Sequence, residues 1–164
     1  GGASKIKALA EAFKLLGYDV CVVADGDAEK QFSPAHEAEL RGQGISVHVW
    51  TDKLSLEQRA FQDLPWISVI ASVQLAQTVP SLSVYDNVRS WYKKPLDEDV
   101  TKWGDSPELR LAIGNAAKGS DWFKDITRGD LWMQAISPAF DNADFAKKDI
   151  ATKLVQLWTW ATHV

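Results

Sequence analysis

The chain has 164 residues, 46% of them hydrophobic, and a formal net charge of −4; that is enough for one domain with a core and too little for two large ones. An acidic domain binds nucleic acid only where lysines and arginines gather locally, no apolar run approaches the roughly 20 residues that cross a bilayer, and no signal peptide is visible. The single cysteine, Cys21, falls inside a predicted strand and reads as a small buried apolar residue of a reducing compartment, so a cytoplasmic location is expected.

Residues 5–17 carry Ile6, Leu9, Ala10, Phe13 and Leu16 at helical spacing, with Ser4 as the expected N-cap and Gly17 as the stop. The helix feeds a predicted strand over 18–24. A helix followed directly by a strand is the second half of a β-α-β unit, so the first strand is expected upstream of Gly1-Gly2. The strand ends abruptly in Asp25-Gly26-Asp27-Ala28-Glu29. Ser33-Pro34 starts a helix running to about Arg41, Gly42-Gln43-Gly44 ends it, and 45–50 alternates as the next strand. Asp52 or Ser55 caps the helix that runs to Asp63, and Glu57 in its first turn complements the helix dipole.

From Leu64 onward the composition changes. Residues 66–76 are apolar enough for a buried strand or a helix, and their length with Pro65 favours helix. Residues 83–92 read as a helix ended by Lys93-Lys94-Pro95, and 96–105 as a polar loop. Ser106-Pro107 opens a helix to Lys118-Gly119, Ser120-Asp121 caps a segment over 122–136, and 142–164 closes the chain with Phe145, Ile150, Leu154, Leu157, Trp158 and Ala161 as its buried stripe. The eight tryptophans read as core or interface anchors, not as a base-stacking platform unless a basic groove lies beside them. The expected fold is α/β, a partial parallel sheet with flanking helices over 1–80 and a helical extension over 81–164.

The acids at the first strand's tip are the one constellation with convergent geometry. Open α/β sheets bind ligands beyond the carboxyl ends of their strands, and residues two apart on an extended chain point the same way. Asp25 and Asp27 would then converge, and hard oxygen ligands of that kind suit Mg²⁺ or Mn²⁺. Ordinary Asp-Gly-Asp turn chemistry is the alternative, the acids solvating or capping. His36, His48 and His163 are too scattered for zinc, no Gly-x-Ser-x-Gly elbow is present, and no Gly-x-x-x-x-Gly-Lys-Ser/Thr phosphate loop occurs.

The order of Gly1-Gly2, helix, strand, Asp25-Gly26-Asp27-x-Glu29, strand, Trp50, Ser55-Leu56-Glu57 and then Lys118-Gly-Ser-Asp-Trp122-Phe123-Lys124 resembles the C-terminal Toprim nuclease region of OLD-family ATP-dependent endonucleases. The resemblance covers most of the chain and is strongest over 1–76 and 115–136. It implies a Toprim-like fold, a two-metal Mg²⁺ or Mn²⁺ site, DNA as substrate, and an ATPase domain on the same polypeptide; a homodimer is compatible with it. Carried over, Asp25 and Asp27 match the Asp-x-Asp ligands and Glu29 accompanies them. Ser55 and Glu57 match the Ser-x-Glu pair of the second metal. Lys124, or else Lys118, resembles the lysine at the scissile phosphate. The family's first strand, ending in a metal-binding glutamate, and its ATPase half have no counterpart within these residues, so the chain alone is expected to cut DNA weakly or not at all. Two other classes stay open: a non-catalytic interaction module derived from a degenerate Toprim, and a haloacid-dehalogenase-type phosphatase, whose Asp-x-Asp-x-Thr pattern meets Glu29 where threonine belongs.

Overall fold

In the computed structural model, which describes residues 3–163, the chain is α/β, with eight α-helices and a two-stranded parallel sheet among the described residues. It divides by contacts into two compact units, Gly1–Leu56 with Thr152–Val164, and Glu57–Ala151.

In the first unit α1 (Ile6–Leu15) leads into β1 (Cys21–Ala24), and α2 (Pro34–Gly42) into β2 (Ser46–Val49). Helix α1 ends in a paired turn in which Gly17 donates to the Lys14 carbonyl and Tyr18 to that of Phe13; Gly17 stands at φ +86°, the left-handed region that glycine enters without steric cost. Ser4 is no cap, because it lies within a single 3-10 turn, Ala3–Lys5. Ser33 caps α2 as expected: its hydroxyl accepts from the His36 amide, and the His36 ring accepts from the Ser33 amide.

The strands pair in register Cys21 to Ser46 through Ala24 to Val49. Ser46 donates to Val20 and Trp50 to Ala24, so the even-numbered residues of β1 bond towards β2. The core gathers Ala10, Val22, Ala24, Phe32, Leu40, Ile45 and Val47. The other edge of β1 carries no strand among the described residues, and Leu9, Phe13 and Val23, which line an apolar cavity there, stay exposed.

The second unit takes in α3 (Leu56–Asp63) beyond its first residue, α4 (Trp66–Gln77), α5 (Val84–Tyr92), α6 (Pro107–Gly119) and α7 (Ile126–Ile136). Helix α4 settles the 66–76 ambiguity as helix. Helix α5 packs on α6 and α4 on α7. The rings of Phe61, Trp122, Phe123 and Trp132 form an aromatic core in which Phe123 stacks on Trp132 at 4.3 Å. The Trp132 indole donates to the Ser72 hydroxyl, which in turn donates to the Ser68 carbonyl. Residues 122–125 are not helical: Asp121 turns into the left-handed region, Trp122 and Phe123 bury in the turn, and the α7 cap is Asp125, accepting from the Arg128 amide. Burying two rings from one turn outweighs an earlier helix start.

Helix α8 (Asp149–Thr162) begins in this unit, with its Ile150 amide held by the Asp63 carboxylate at 3.1 Å. Its expected stripe holds at Phe145 and Ile150, which are buried, but Trp158 and Ala161 are exposed. Of the other tryptophans, Trp50, Trp103, Trp122 and Trp132 are buried and Trp91 is half exposed. No helix among the described residues is long and apolar enough to cross a membrane.

Arg110 ties the second unit together. Its guanidinium grips Asp105 through Nε at 2.5 Å and a second nitrogen at 2.8 Å, while Nη1 donates to the carbonyls of Phe61, Gln62 and Leu64. Those carbonyls are the orphans that a helix C-terminus leaves behind, and the plane also lies over the Trp66 ring. Arg110→Ala is expected to destabilise the chain by about 2–4 kcal/mol, read as a shifted denaturant midpoint, and Arg110→Lys to recover only part of it because lysine lacks the fork. The Arg110 hydrogen bond holds the Asp105 carboxyl below its usual pKa. The associated stability is therefore present above the ordinary carboxylate pKa and lost as pH falls through the lowered one; a denaturant series below pH 5 should show a smaller acid-induced loss in Arg110→Ala.

Candidate functional site

The tip of β1 is built by close main-chain approach. Asp25 is still extended, Gly26–Ala28 form one 3-10 turn, and the Gly26 amide donates to the Leu54 carbonyl at 2.8 Å. A Cβ at Gly26 would collide with the Trp50 carbonyl oxygen and stand 3.0 Å from both N and O of Leu54. Only glycine lets the segment after β1 lie against the loop that leaves β2.

That loop is itself unusual, since Asp52 and Lys53 both hold left-handed φ values, 61° and 55°, which cost non-glycine residues roughly 1–2 kcal/mol each. Two contacts from the β1 tip brace it. Lys53 pairs with Glu29 at 2.8 Å, and the Glu29 carboxylate raises the Lys53 pKa. The Asp25 carboxylate accepts the amide proton of Leu56, the first residue of α3, at 2.8 Å. The sequence assigned the α3 cap to Asp52 or Ser55; the first amide of the helix is reached by a residue 31 positions away in the chain, because the glycine turn brings the strand tip to the helix start.

Of the residues singled out as metal ligands, Asp25, Asp27, Glu29 and Ser55 belong to the first unit. The three acids are exposed and Ser55 is buried. Glu57, in the first turn of α3 and 7% exposed, belongs to the second unit, as do Lys118 and Lys124. Lys124 is half exposed, pairs with Asp121 at 2.6 Å and points its ammonium at the Lys118 carbonyl. Among the described residues, no group of three or more His, Cys, Asp or Glu side chains is placed to hold a metal ion. The donor chemistry suits Mg²⁺ or Mn²⁺, but the ligand number that such an ion takes from protein and water is not assembled by these residues as they stand.

Sequence reasoning missed two other clusters. One is a cavity of about 400 Å³ beside β2 where Arg41, His48, Lys153 and Gln156 meet Trp50. Burial, reinforced by the Arg41 charge, lowers the His48 pKa there. The other, larger one lies at the end of α5. Its signal in the sequence is the run Arg89-Ser90-Trp91-Tyr92-Lys93-Lys94, which local spacing alone reads as a helix terminus.

Comparison with known proteins gives no match: no family model fits the chain, no characterised protein aligns with it, and no solved structure resembles it.

Gly26→Ala is expected to cost about 2–4 kcal/mol, since the neighbours it would strike are backbone and cannot swing away. Asp25→Ala should cost about 1 kcal/mol through the lost acceptor and Asp25→Asn less, because the amide oxygen still accepts. Chemical denaturation of the three variants gives the ranking.

Proposed function

We propose that the chain is the acid-tipped α/β portion of a divalent-metal-dependent DNA endonuclease of the OLD-family Toprim kind, and that these residues do not cut DNA by themselves. The observation that carries the reading is the Asp25-Gly26-Asp27-x-Glu29 turn at the carboxyl end of a strand in a parallel pair, the position at which open α/β sheets receive their ligands. In such an enzyme the bound ion supplies charge neutralisation at phosphate and an activated water. The contribution of this chain is a pair of carboxylates, Asp25 and Asp27, on a turn made rigid by Gly26. DNA is then the substrate, and an ATPase domain the partner that the resemblance brings with it.

A second reading, a non-catalytic interaction module, is favoured by the engagement of two acids in structural contacts, Asp25 with the Leu56 amide and Glu29 with Lys53. Mn²⁺ titration by calorimetry separates the readings. The nuclease reading expects saturable Mn²⁺ binding that weakens at least tenfold in Asp27→Asn and in Asp25→Asn, both checked for folding by circular dichroism, together with little or no nicking of supercoiled plasmid in Mg²⁺ or Mn²⁺. Absence of Mn²⁺ binding would overturn the nuclease reading, and vigorous plasmid cutting by the chain alone would refute the claim that it is incomplete.

A further inference from the structure

The cavity at the carboxyl end of α5 measures about 550 Å³ and is lined by Tyr85, Arg89, Lys93, Lys94, Pro95 and Leu96. Half of that lining is cationic and none of it acidic, in a chain of net charge −4. Elsewhere this protein matches its arginines to carboxylates. Arg41 pairs with Glu37, Arg59 with Asp63, Arg110 with Asp105 and Arg128 with Asp125. Arg89 is the exception: among the described residues no carboxylate lies within ion-pair distance of it, nor of Lys93 or Lys94. The acids that follow in sequence, Asp97 and Asp99, face Lys102 at 3.8 and 3.9 Å.

The wall of the cavity is held in place. The Tyr85 hydroxyl donates to the Leu96 carbonyl at 3.0 Å, which fastens the 94–96 segment to α5, and Pro95 removes a backbone freedom from it. The Lys94 ammonium sits 5.4 Å from the centre of the Tyr92 ring, where the aromatic face attracts it. Lys93 closes α5 in the left-handed region at φ 58°, a place where glycine or asparagine is the usual occupant. Complementing the helix dipole accounts for cations in a last turn. It does not account for their gathering around a cavity of ligand size, walled on one side by a tyrosine ring.

We propose that this cavity binds phosphate esters, with the Arg89 guanidinium taking two phosphate oxygens and Lys93 and Lys94 supplying the remaining charge. Arginine's planar fork matches phosphate in two parallel hydrogen bonds, and an aromatic wall beside a basic rim is the arrangement that nucleotides and single strands use. The site uses none of the acids at the β1 tip and stands whether or not those acids bind metal.

The test titrates the full chain, in EDTA and about 50 mM salt, with inorganic phosphate, thymidine 5′-monophosphate and a ten-residue oligothymidylate, following amide shifts by NMR. Saturable binding is expected, weakened at least tenfold in Arg89→Ala and in Lys93→Ala/Lys94→Ala and only partly restored in Arg89→Lys. Circular dichroism confirms that each variant is folded; all three positions are exposed. Tighter and more salt-dependent binding of the oligonucleotide assigns the site to a strand, and equal binding of the monophosphate assigns it to a free phosphate monoester. Failure of all three ligands to bind the wild type, or binding that survives both sets of alanine substitutions, overturns the proposal. Because metal is absent throughout, a failure here leaves the Mn²⁺ result at Asp25 and Asp27 untouched, and the reverse holds too.

Discussion

The first unit depends on there being no side chain at residue 26. Two parallel strands leave their tips side by side, and the chain beyond each tip must turn without losing its hydrogen bonds. At Gly26 the main chain comes so close to Trp50 and Leu54 that the two turns become one structure. The contact sets the Gly26 to Leu54 hydrogen bond, supports a loop with two residues in the left-handed region, and delivers the Asp25 carboxylate to an amide at the start of α3.

The second unit solves a different problem, the satisfaction of buried polar groups among helices. Arg110 supplies donors to three carbonyls at the end of α3 while its charge is matched by Asp105. Asp63 does the converse, accepting from Arg59 and from the Ile150 amide at the start of α8. Charged hydrogen bonds of this kind are stronger than neutral ones, and leaving one partner alone in the interior costs more than the pair contributes. The consistent matching of arginines elsewhere is what makes the unmatched Arg89 informative.

A carboxylate that caps a helix and one that ligates a metal look alike in sequence and differ in what else competes for their lone pairs. Asp25 serves the Leu56 amide with one oxygen, Glu29 is drawn to Lys53, and no three acids converge among the described residues. The turn is therefore a structural joint, with Asp25 and Glu29 each engaged by a neighbouring segment.

The sequence by itself determined the α/β class, most helices to within a few residues, both strands and the Ser33, Ser106 and Gly17 signals at helix ends, because these rest on local periodicity and local hydrogen bonding. It also placed an acidic turn after the first strand. Only the tertiary structure decided that Asp25 reaches the Leu56 amide, and that α7 starts at Ile126 because Trp122 and Phe123 bury in the preceding turn. It alone drew Tyr85, Arg89 and Lys94 around one cavity. Each of these turns on which distant residues become neighbours, and spacing along the chain carries no record of that.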